Sequence, residues 1–269
     1  MLAPAAPITL TLIECSSPKA RMEGDGIHSE FVVGRFEAEN QAKLEQLERD
    51  RNDLGIIGVA SGTAGIIGFS IFAPSALVWF PTLWKLADTL AIISRRYLLM
   101  TELIEAFEAE DAEILVGLQP EDASEIDFFL RFPDKEFVLL HICSAGTQAR
   151  VNFSLSKQAL QIRRKGGLKT IKPNPITEML KQERWIRNYR TELLGASSRD
   201  RRRSIAKVIV FWDQPTIPVH PEHLYATIND QKYLYVTTEA NGSAFVIQRE
   251  QVVNFIHSYL KSKRSRKSS

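Results

Sequence analysis

The sequence predicts an α/β domain with the element order αβββαβ, preceded by a helical segment embedded in a membrane. Two observations support this fold class. First, the 31 residues from Leu54 to Trp84 contain no charged side chain, and a membrane-spanning helix needs about 20 apolar residues. Second, from about residue 86 onward, stretches with helical apolar spacing alternate with short apolar strands, which is typical of an α/β domain.

The same patterns divide the chain into four predicted regions. Alternating residues at 8–15 and 29–36 indicate two strands near the N-terminus. The regions are a β-rich N-terminal extension at 1–38, a helical region with the membrane segment 54–84 at 39–100, an α/β domain at 101–260, and a basic disordered tail at 261–269.

The apolar segment is too long for one plain span and contains two prolines. Pro74 and Pro81 would kink or end a helix. Two arrangements therefore stay open, a single span near 54–73 and a re-entrant hairpin that turns near residues 73–75. The side chains predicted to contact lipid are Leu54, Ile57, Ile66, Phe69, Phe72, Trp79 and Trp84.

A small-residue face in this segment suggests a contact between helices. Gly58, Gly62 and Gly65 share one helical face, which in lipid would permit a homo-oligomer or the packing of two hairpin halves. Basic residues follow the segment with few acids between them, so its downstream side is predicted to face the cytoplasm. Cys15 and Cys143 show no metal or disulfide spacing, which agrees with a reducing compartment.

The α/β domain begins with a long amphipathic helix and ends with a strand and a helix. The elements predicted after the first helix are strands at 113–118, 126–132 and 137–143, a basic loop, a helix at about 176–194, a strand at 207–212, a strand at 233–238 and a helix at 249–260.

This order of elements resembles the restriction-endonuclease-like core of the PD-(D/E)xK nuclease superfamily, and more narrowly its nuclease-related (NERD) domain. The residues that carry the resemblance are Glu125-Ile126-Asp127 at the start of one strand and 137–143 on the next. Asn174-Pro175-Ile176-Thr177-Glu178 resembles the Asn-Pro-x-x-Gln that opens a helix in that family. The strand 207–212 fits the apolar strand after that helix.

The resemblance implies a catalytic site at Asp127, His141 and Cys143. In these nucleases a metal ion, usually Mg²⁺, is bound by the strand Asp and by an acid on the next strand, and a lysine two residues later assists the attacking water. Here His141 replaces the acid and Cys143 replaces the lysine. Imidazole is a poor Mg²⁺ ligand, and a thiol has no positive charge. The site is therefore predicted to be inactive, without metal or cofactor.

Two other interpretations of this site stay open. Asp127, His141 and Cys143 could form a new zinc site, although three mixed ligands without a fourth are a weak pattern. Alternatively, Asp127 could bind Mg²⁺ together with acids of the preceding helix, which are Glu102, Glu105 and Glu108.

Charge is distributed unevenly along the chain. Residues 1–136 contain 23 acidic and 11 basic side chains, whereas residues 137–269 contain 9 and 23. The excess of bases suggests an anionic partner, either nucleic acid or lipid headgroups, or two faces that attract each other within one fold. The side chains predicted to bind this anion are Arg163, Arg164, Lys165, Lys169, Lys172, Arg184 and Arg187.

The predicted function is that of a membrane-anchored, nuclease-like domain that has lost metal-dependent catalysis. It would act by binding nucleic acid, anionic lipid or a protein partner at the membrane surface. One alternative is an active, divergent Mg²⁺-dependent nuclease or phosphodiesterase. Another is a scaffold or assembly factor of a membrane complex.

Overall fold

The computed structural model describes the backbone of residues 28–71, 76–239 and 242–268, and side chains within 36–57, 84–239 and 242–265. Two long helices come first, α1 (His28–Ile71) and α2 (Ala76–Phe107). They run antiparallel, since Asn40 near the start of α1 bonds to Ala112 beyond the end of α2, while the Arg51 guanidinium lies over the Tyr97 ring. Residues 29–36, predicted as a strand, therefore belong to α1, and 8–15 lie outside the described residues.

The apolar segment 54–84 is divided between these two helices. Residues 54–71 belong to α1 and residues 76–84 to α2, so each part is shorter than the about 20 residues that a span requires. Among the described residues, no helix combines the length and the apolar character needed to cross a membrane. The predictions of a membrane-embedded segment, of a transmembrane helix and of a membrane location facing the cytoplasm are therefore wrong.

Few of the side chains predicted to contact lipid lie within the described part. Leu54 is half-buried, whereas Ile57 and Trp84 are exposed. The side chains of Ile66, Phe69 and Trp79, and the whole of Phe72, lie outside the described residues, as does the surface around Gly58, Gly62 and Gly65.

A mixed seven-stranded sheet forms the centre of the molecule. Its order is β1-β2-β3-β7-β10-β9-β8. The three central strands β3, β7 and β10 are parallel, and the other neighbours are antiparallel. The strands are β1 (Glu113–Leu118), β2 (Ile126–Arg131), β3 (Phe137–Cys143), β7 (Ile205–Phe211), β8 (Tyr225–Ile228), β9 (Gln231–Thr237) and β10 (Ser243–Gln248).

Helices cover both faces of this sheet. One face packs on α2 and on α6 (Val252–Ser268), through a core that includes Leu103, Phe128 and Phe255. The other face packs on α3 (Pro175–Tyr189), through Met179, Phe129 and others. Two short helices follow α3, namely α4 (Thr191–Leu194) and α5 (Ser198–Arg201). The described C-terminal residues 261–268 continue α6, so the predicted disordered tail is wrong there.

A second, three-stranded antiparallel sheet is inserted between β3 and α3. Its strands are β4 (Arg150–Ser154), β5 (Ala159–Arg164) and β6 (Gly167–Thr170). The sequence predicts only a basic loop here. The face with Val151, Phe153 and Leu160 is buried against the α3 side of the core, because these residues alternate with polar ones along the strands.

Candidate functional site

Asp127 is a buried carboxylate at the edge where the parallel strands β3 and β7 end. It stands at the start of β2, which runs antiparallel to β3, so the first residues of β2 lie beside the last residues of β3. Continuing the β2–β3 register places Asp127 opposite His141. The carboxyl ends of parallel strands are where α/β sheets commonly bind their ligands, so this edge is a candidate site.

Both carboxylate oxygens of Asp127 already have donors. Oδ1 accepts hydrogen bonds from Arg96 Nε at 3.1 Å and Arg96 Nη2 at 2.7 Å. Oδ2 accepts the backbone N–H of Ile142 at 2.8 Å and lies 3.1 Å from His141 Nδ1. The pKa of Asp127 is affected first by burial, which raises it. The contacts with His141, Arg96 and Ile142 lower it more strongly, so the net pKa lies below its ordinary value.

Arg96 links Asp127 to a second carboxylate. Its Nη1 donates to Glu125 Oε1 at 2.7 Å, and the Arg96 side chain is 9% exposed. Gly117 on β1 makes room for this pair: it adopts φ +68°, and a Cβ there would lie 3.1 Å from Glu125 Oε1. Burial lowers the pKa of Arg96, but the bonds to Glu125 and Asp127 raise it above its ordinary value, so the guanidinium stays charged.

The sequence contains a signal that could have identified Arg96. Leu99, Met100 and Leu103 of α2 are fully buried. Arg96 precedes them by three, four and seven residues, so it lies on the same helical face and points toward the core. Its neighbour Arg95 is off that face and only partly buried.

His141 and Cys143 share one face of β3, as their spacing predicts. Burial lowers the pKa of His141, but the Asp127 carboxylate and the Cys143 side chain raise it, to about 10. The imidazole is therefore held protonated. Its Nδ1 is within ion-pair distance of Asp127 but makes no hydrogen bond among the described residues. Cys143 is a buried free thiol.

Helix α3 holds the loop that precedes β2. Glu178 Oε2 accepts the backbone N–H of Ser124 at 3.0 Å. Gln182, which is fully buried, donates through Nε2 to the carbonyl oxygens of Ser124 and Glu125, each at 3.0 Å. These bonds fix the position from which Glu125 reaches Arg96. Sequence reasoning identified Glu178 only through the family resemblance and did not identify Gln182.

The donor set around Asp127 does not fit a Mg²⁺ ion. Mg²⁺ prefers six oxygen ligands, whereas both oxygens of Asp127 already accept N–H groups and the Arg96 cation lies between the two carboxylates. Among the described residues, no group of three or more His, Cys, Asp or Glu is placed to share a metal ion.

Glu102 and Glu105 of α2, and Glu108 directly after it, are not among the hydrogen-bond or ion-pair partners of Asp127 in the described residues. Glu102 pairs with Arg249, whose guanidinium also lies over the Trp212 ring. Glu105 and Glu108 are exposed.

A separate polar cluster lies at the ends of β3 and β7 and joins Ser144, Asp213 and Arg95. The Ser144 hydroxyl donates to Asp213, which also accepts the backbone N–H of Gly146 at 3.0 Å, and Arg95 donates to the Ser144 hydroxyl oxygen.

A cleft of about 530 Å³ opens beside the Arg96–Glu125 pair. Helices α1 and α2 and the edge of β1 form its walls, with Lys43, Asp50, Thr89 and Ile93 among the lining residues. Acids and bases are mixed there, so the cleft does not select one sign of charge.

The inserted sheet carries most of the predicted anion-binding side chains. Residues 137–177 contain no acid, and the seven bases in this range are all exposed. Arg164 donates Nε to the carbonyl of Ala145 at 3.0 Å, which ties the sheet to the end of β3. The other six have no side-chain partner among the described residues and are Arg150, Lys157, Arg163, Lys165, Lys169 and Lys172.

The two predicted arginines of α3 have different environments. Arg187 bonds to Glu183 and to the carbonyl oxygens of Arg201 and Arg203, so its role is to hold the loop after α5. Arg184 is exposed. The structure therefore groups Arg163, Arg164, Lys165, Lys169 and Lys172 on or directly after one sheet, and it removes Arg187 from the set.

No family model, curated protein or solved structure matches this chain.

Proposed function

We propose that this chain is a nuclease-like domain that does not cleave and that works by binding nucleic acid through its inserted basic sheet. The resemblance is supported by the order of elements around Asp127. Helix α2, the antiparallel strands β1 to β3, helix α3 and strand β7 parallel to β3 follow each other along the chain. Asn174 caps α3 by accepting the N–H of Ile176 at 3.2 Å.

The observation that carries the binding proposal is the pairing of Arg150 with Arg163. These residues are directly opposite each other on β4 and β5, so their side chains project from the same face. Like charges in this position destabilise a sheet, and no acid among the described residues neutralises them. The phosphate backbone of a nucleic acid would neutralise both arginines. Phosphate contacts of this kind supply most of the nonspecific affinity of proteins for nucleic acid.

The absence of cleavage in this proposal is supported by the contacts of Asp127. The chemistry of a metal-dependent nuclease needs free carboxylate oxygens for the metal and a cation directed at the phosphate. In this site the cation is Arg96, and its guanidinium binds the carboxylates of Glu125 and Asp127 instead of facing a substrate phosphate.

Binding is tested by fluorescence anisotropy with labelled oligonucleotides over a series of salt concentrations. In the variant Arg150→Ser/Arg163→Ser, two phosphate contacts are lost. The slope of log affinity against log salt should then fall by about 2, with affinity lowered by about ten-fold at low salt. The matched control is Lys85→Ser/Lys261→Ser, which removes two exposed bases on α2 and α6. Binding that is absent, or insensitive to salt, would contradict the proposal.

Cleavage is tested separately with Mg²⁺ or Mn²⁺ and a nucleic-acid substrate. We expect no metal-dependent cleavage by the wild-type chain. Cleavage that disappears in Asp127→Asn, a variant that keeps the shape of the side chain, would instead support the alternative of an active phosphodiesterase.

A further inference from the structure

The hairpin of β5 and β6 projects from the body of the protein as a ribbon. At its base Leu160 is fully buried, one step further Ile162 is half-buried, and all residues from 163 to 169 are exposed. A hollow of about 290 Å³ lies along its inner face, next to Arg164 and Lys169. Residues at the end of the ribbon are therefore exposed on both faces, although Arg164 is bonded to the carbonyl of Ala145 on the inner side.

Bases occur on both faces of this ribbon and at its tip. Arg163 projects from the outer face, beside Arg150 on β4. Arg164 follows it and projects from the inner face. Lys169 is paired with Ile162, so it shares that inner face. Lys165 lies in the two-residue turn that joins the strands. A surface that lies flat on a polyanion needs bases on one face only.

We propose that the β5–β6 ribbon enters the major groove of double-stranded DNA. This groove is about 12 Å wide and admits a two-stranded ribbon, and phosphates border it on both sides. Bases on both faces match those two borders. The major groove of an RNA duplex is deep and too narrow for side chains to read, so the partner is duplex DNA.

The tip of the ribbon is suited to a close approach to base edges. A Cβ added at Gly166 would meet nothing within 4 Å, so this glycine is not needed to relieve crowding inside the protein, whereas Gly167 adopts φ +106°, a backbone conformation that favours glycine. The absence of side chains there leaves the turn narrow. Leu168, opposite Arg163 on the outer face, is 48% exposed, which provides an apolar contact for a thymine methyl group.

This inference rests on the proposed function and is tested by comparing three ligands of one sequence: duplex DNA, duplex RNA and single-stranded DNA. The variants are Arg163→Ser for the outer face, Lys169→Ser for the inner face and Gly166→Trp for the tip. Lys261→Ser, which removes an exposed base on α6 outside the inserted sheet, is the matched control. Urea denaturation checks that each variant folds.

We expect tighter binding to duplex DNA than to the other two ligands. Arg163→Ser and Lys169→Ser should each lower the affinity for duplex DNA by about three-fold or more at low salt, with Lys261→Ser close to wild type. Gly166→Trp should weaken duplex DNA binding while leaving single-strand binding unchanged. Equal affinity for the three ligands, or an effect confined to one face, would overturn the ribbon proposal while leaving nucleic-acid binding intact. No binding to any ligand would overturn the proposed function itself.

Discussion

At the scale of single residues, Arg96 determines the character of the Asp127 site. It is buried and forms ion pairs with Glu125 and Asp127, each at 2.7 Å. A buried ion pair adds little to the stability of the fold compared with two apolar side chains of similar size. Removal of only one partner is strongly destabilising, because it leaves a buried charge without compensation. The site therefore depends on Arg96 more than on either carboxylate alone.

Replacement of Arg96 by Met should lower the free energy of unfolding by about 3–5 kcal/mol, because Asp127 and Glu125 then lose the buried guanidinium that they share. Urea denaturation at neutral pH measures this change. The control is Arg95→Met on the same turn of α2, where the pair with Asp213 is 3.9 Å long and partly exposed, so the expected cost is below about 1 kcal/mol. If Arg96→Met and Arg95→Met lowered the free energy of unfolding by the same amount, the role given to Arg96 would be contradicted.

A pH dependence follows from His141. Its pKa is about 10 in the folded protein, against about 6.5 in an unfolded chain. A raised pKa means that the stabilisation is complete below the unfolded value and is lost as the pH rises through the folded value. The lowered pKa of Asp127 matters at acidic pH. The stability that this carboxylate contributes is lost as the pH falls below the ordinary carboxyl range.

The free energy of unfolding should therefore decrease as the pH rises from about 6.5 to about 10, and this decrease should be smaller in His141→Gln. Urea midpoints across that range provide the measurement. His223→Gln, at an exposed position in the turn before β8, should keep the wild-type dependence. An unchanged dependence in His141→Gln would show that the imidazole is not the group responsible.

At the scale of elements, β1, β2, β3 and β7 were predictable because they are apolar and short, whereas β8 and β10 were not predicted. β1 and β3 have the predicted bounds, and β2 and β7 differ from them by one or two residues. Asp127, His141 and Cys143 lie near one another, since two of them are on one strand and the third is on its neighbour. The partner Arg96 was not predicted, because its burial depends on which face of the long helix α2 packs on the sheet.

The inserted sheet was missed because its outer residues are charged. In β5 the apolar positions Leu160 and Ile162 alternate with Gln161 and Arg163, but the run is too short to distinguish a strand from a polar loop. Pairing with β4 and β6 is what stabilises it. The apolar stretch 54–84 was mistaken for a membrane segment because it was interpreted as one feature, whereas α1 ends at Ile71 and α2 begins at Ala76.

The start of α3 offers a test at this scale. Asn174 accepts the N–H of Ile176, and its Nδ2 donates to the carbonyl of Gln158 at 3.1 Å, so it connects the helix to the inserted sheet. Asn174→Ala should cost about 1 kcal/mol or more in the free energy of unfolding. Asn188→Ala, an exposed position near the end of α3, should change it by less than about 0.5 kcal/mol. Equal thermal midpoints for both variants would contradict the cap.

At the scale of the whole molecule, part of the charge imbalance along the chain is compensated by folding. Arg264 of α6 pairs with Glu110 and Asp134, and Arg203 lies 3.6 Å from Glu136. These contacts join bases of the second half to acids of the first, as one of the alternatives for the charge pattern predicts. The bases of the inserted sheet are outside this network, so the surface of that sheet stays positively charged among the described residues.

The location of that surface gives a prediction for truncation. A chain that ends after Ser265 loses Arg266 and Lys267, which are distant in sequence from the inserted sheet. Its affinity for duplex DNA should stay within about two-fold of wild type, because at most a small part of the phosphate contacts is removed. Anisotropy titrations compare it with Arg150→Ser/Arg163→Ser. A larger loss on truncation would place the binding surface on α6 instead.

The parallel pairing of β3 with β7 also sets the order in which the chain can fold. β1, β2 and β3 are joined by short turns, and their antiparallel pairing closes only small loops. β7 begins more than sixty residues after β3 ends, so its addition must bring distant segments together, and contacts of this kind slow folding. We therefore expect the β1–β3 meander to form first and the remaining strands to join it late. Until then, β3 has an unpaired edge that is open to association with other chains.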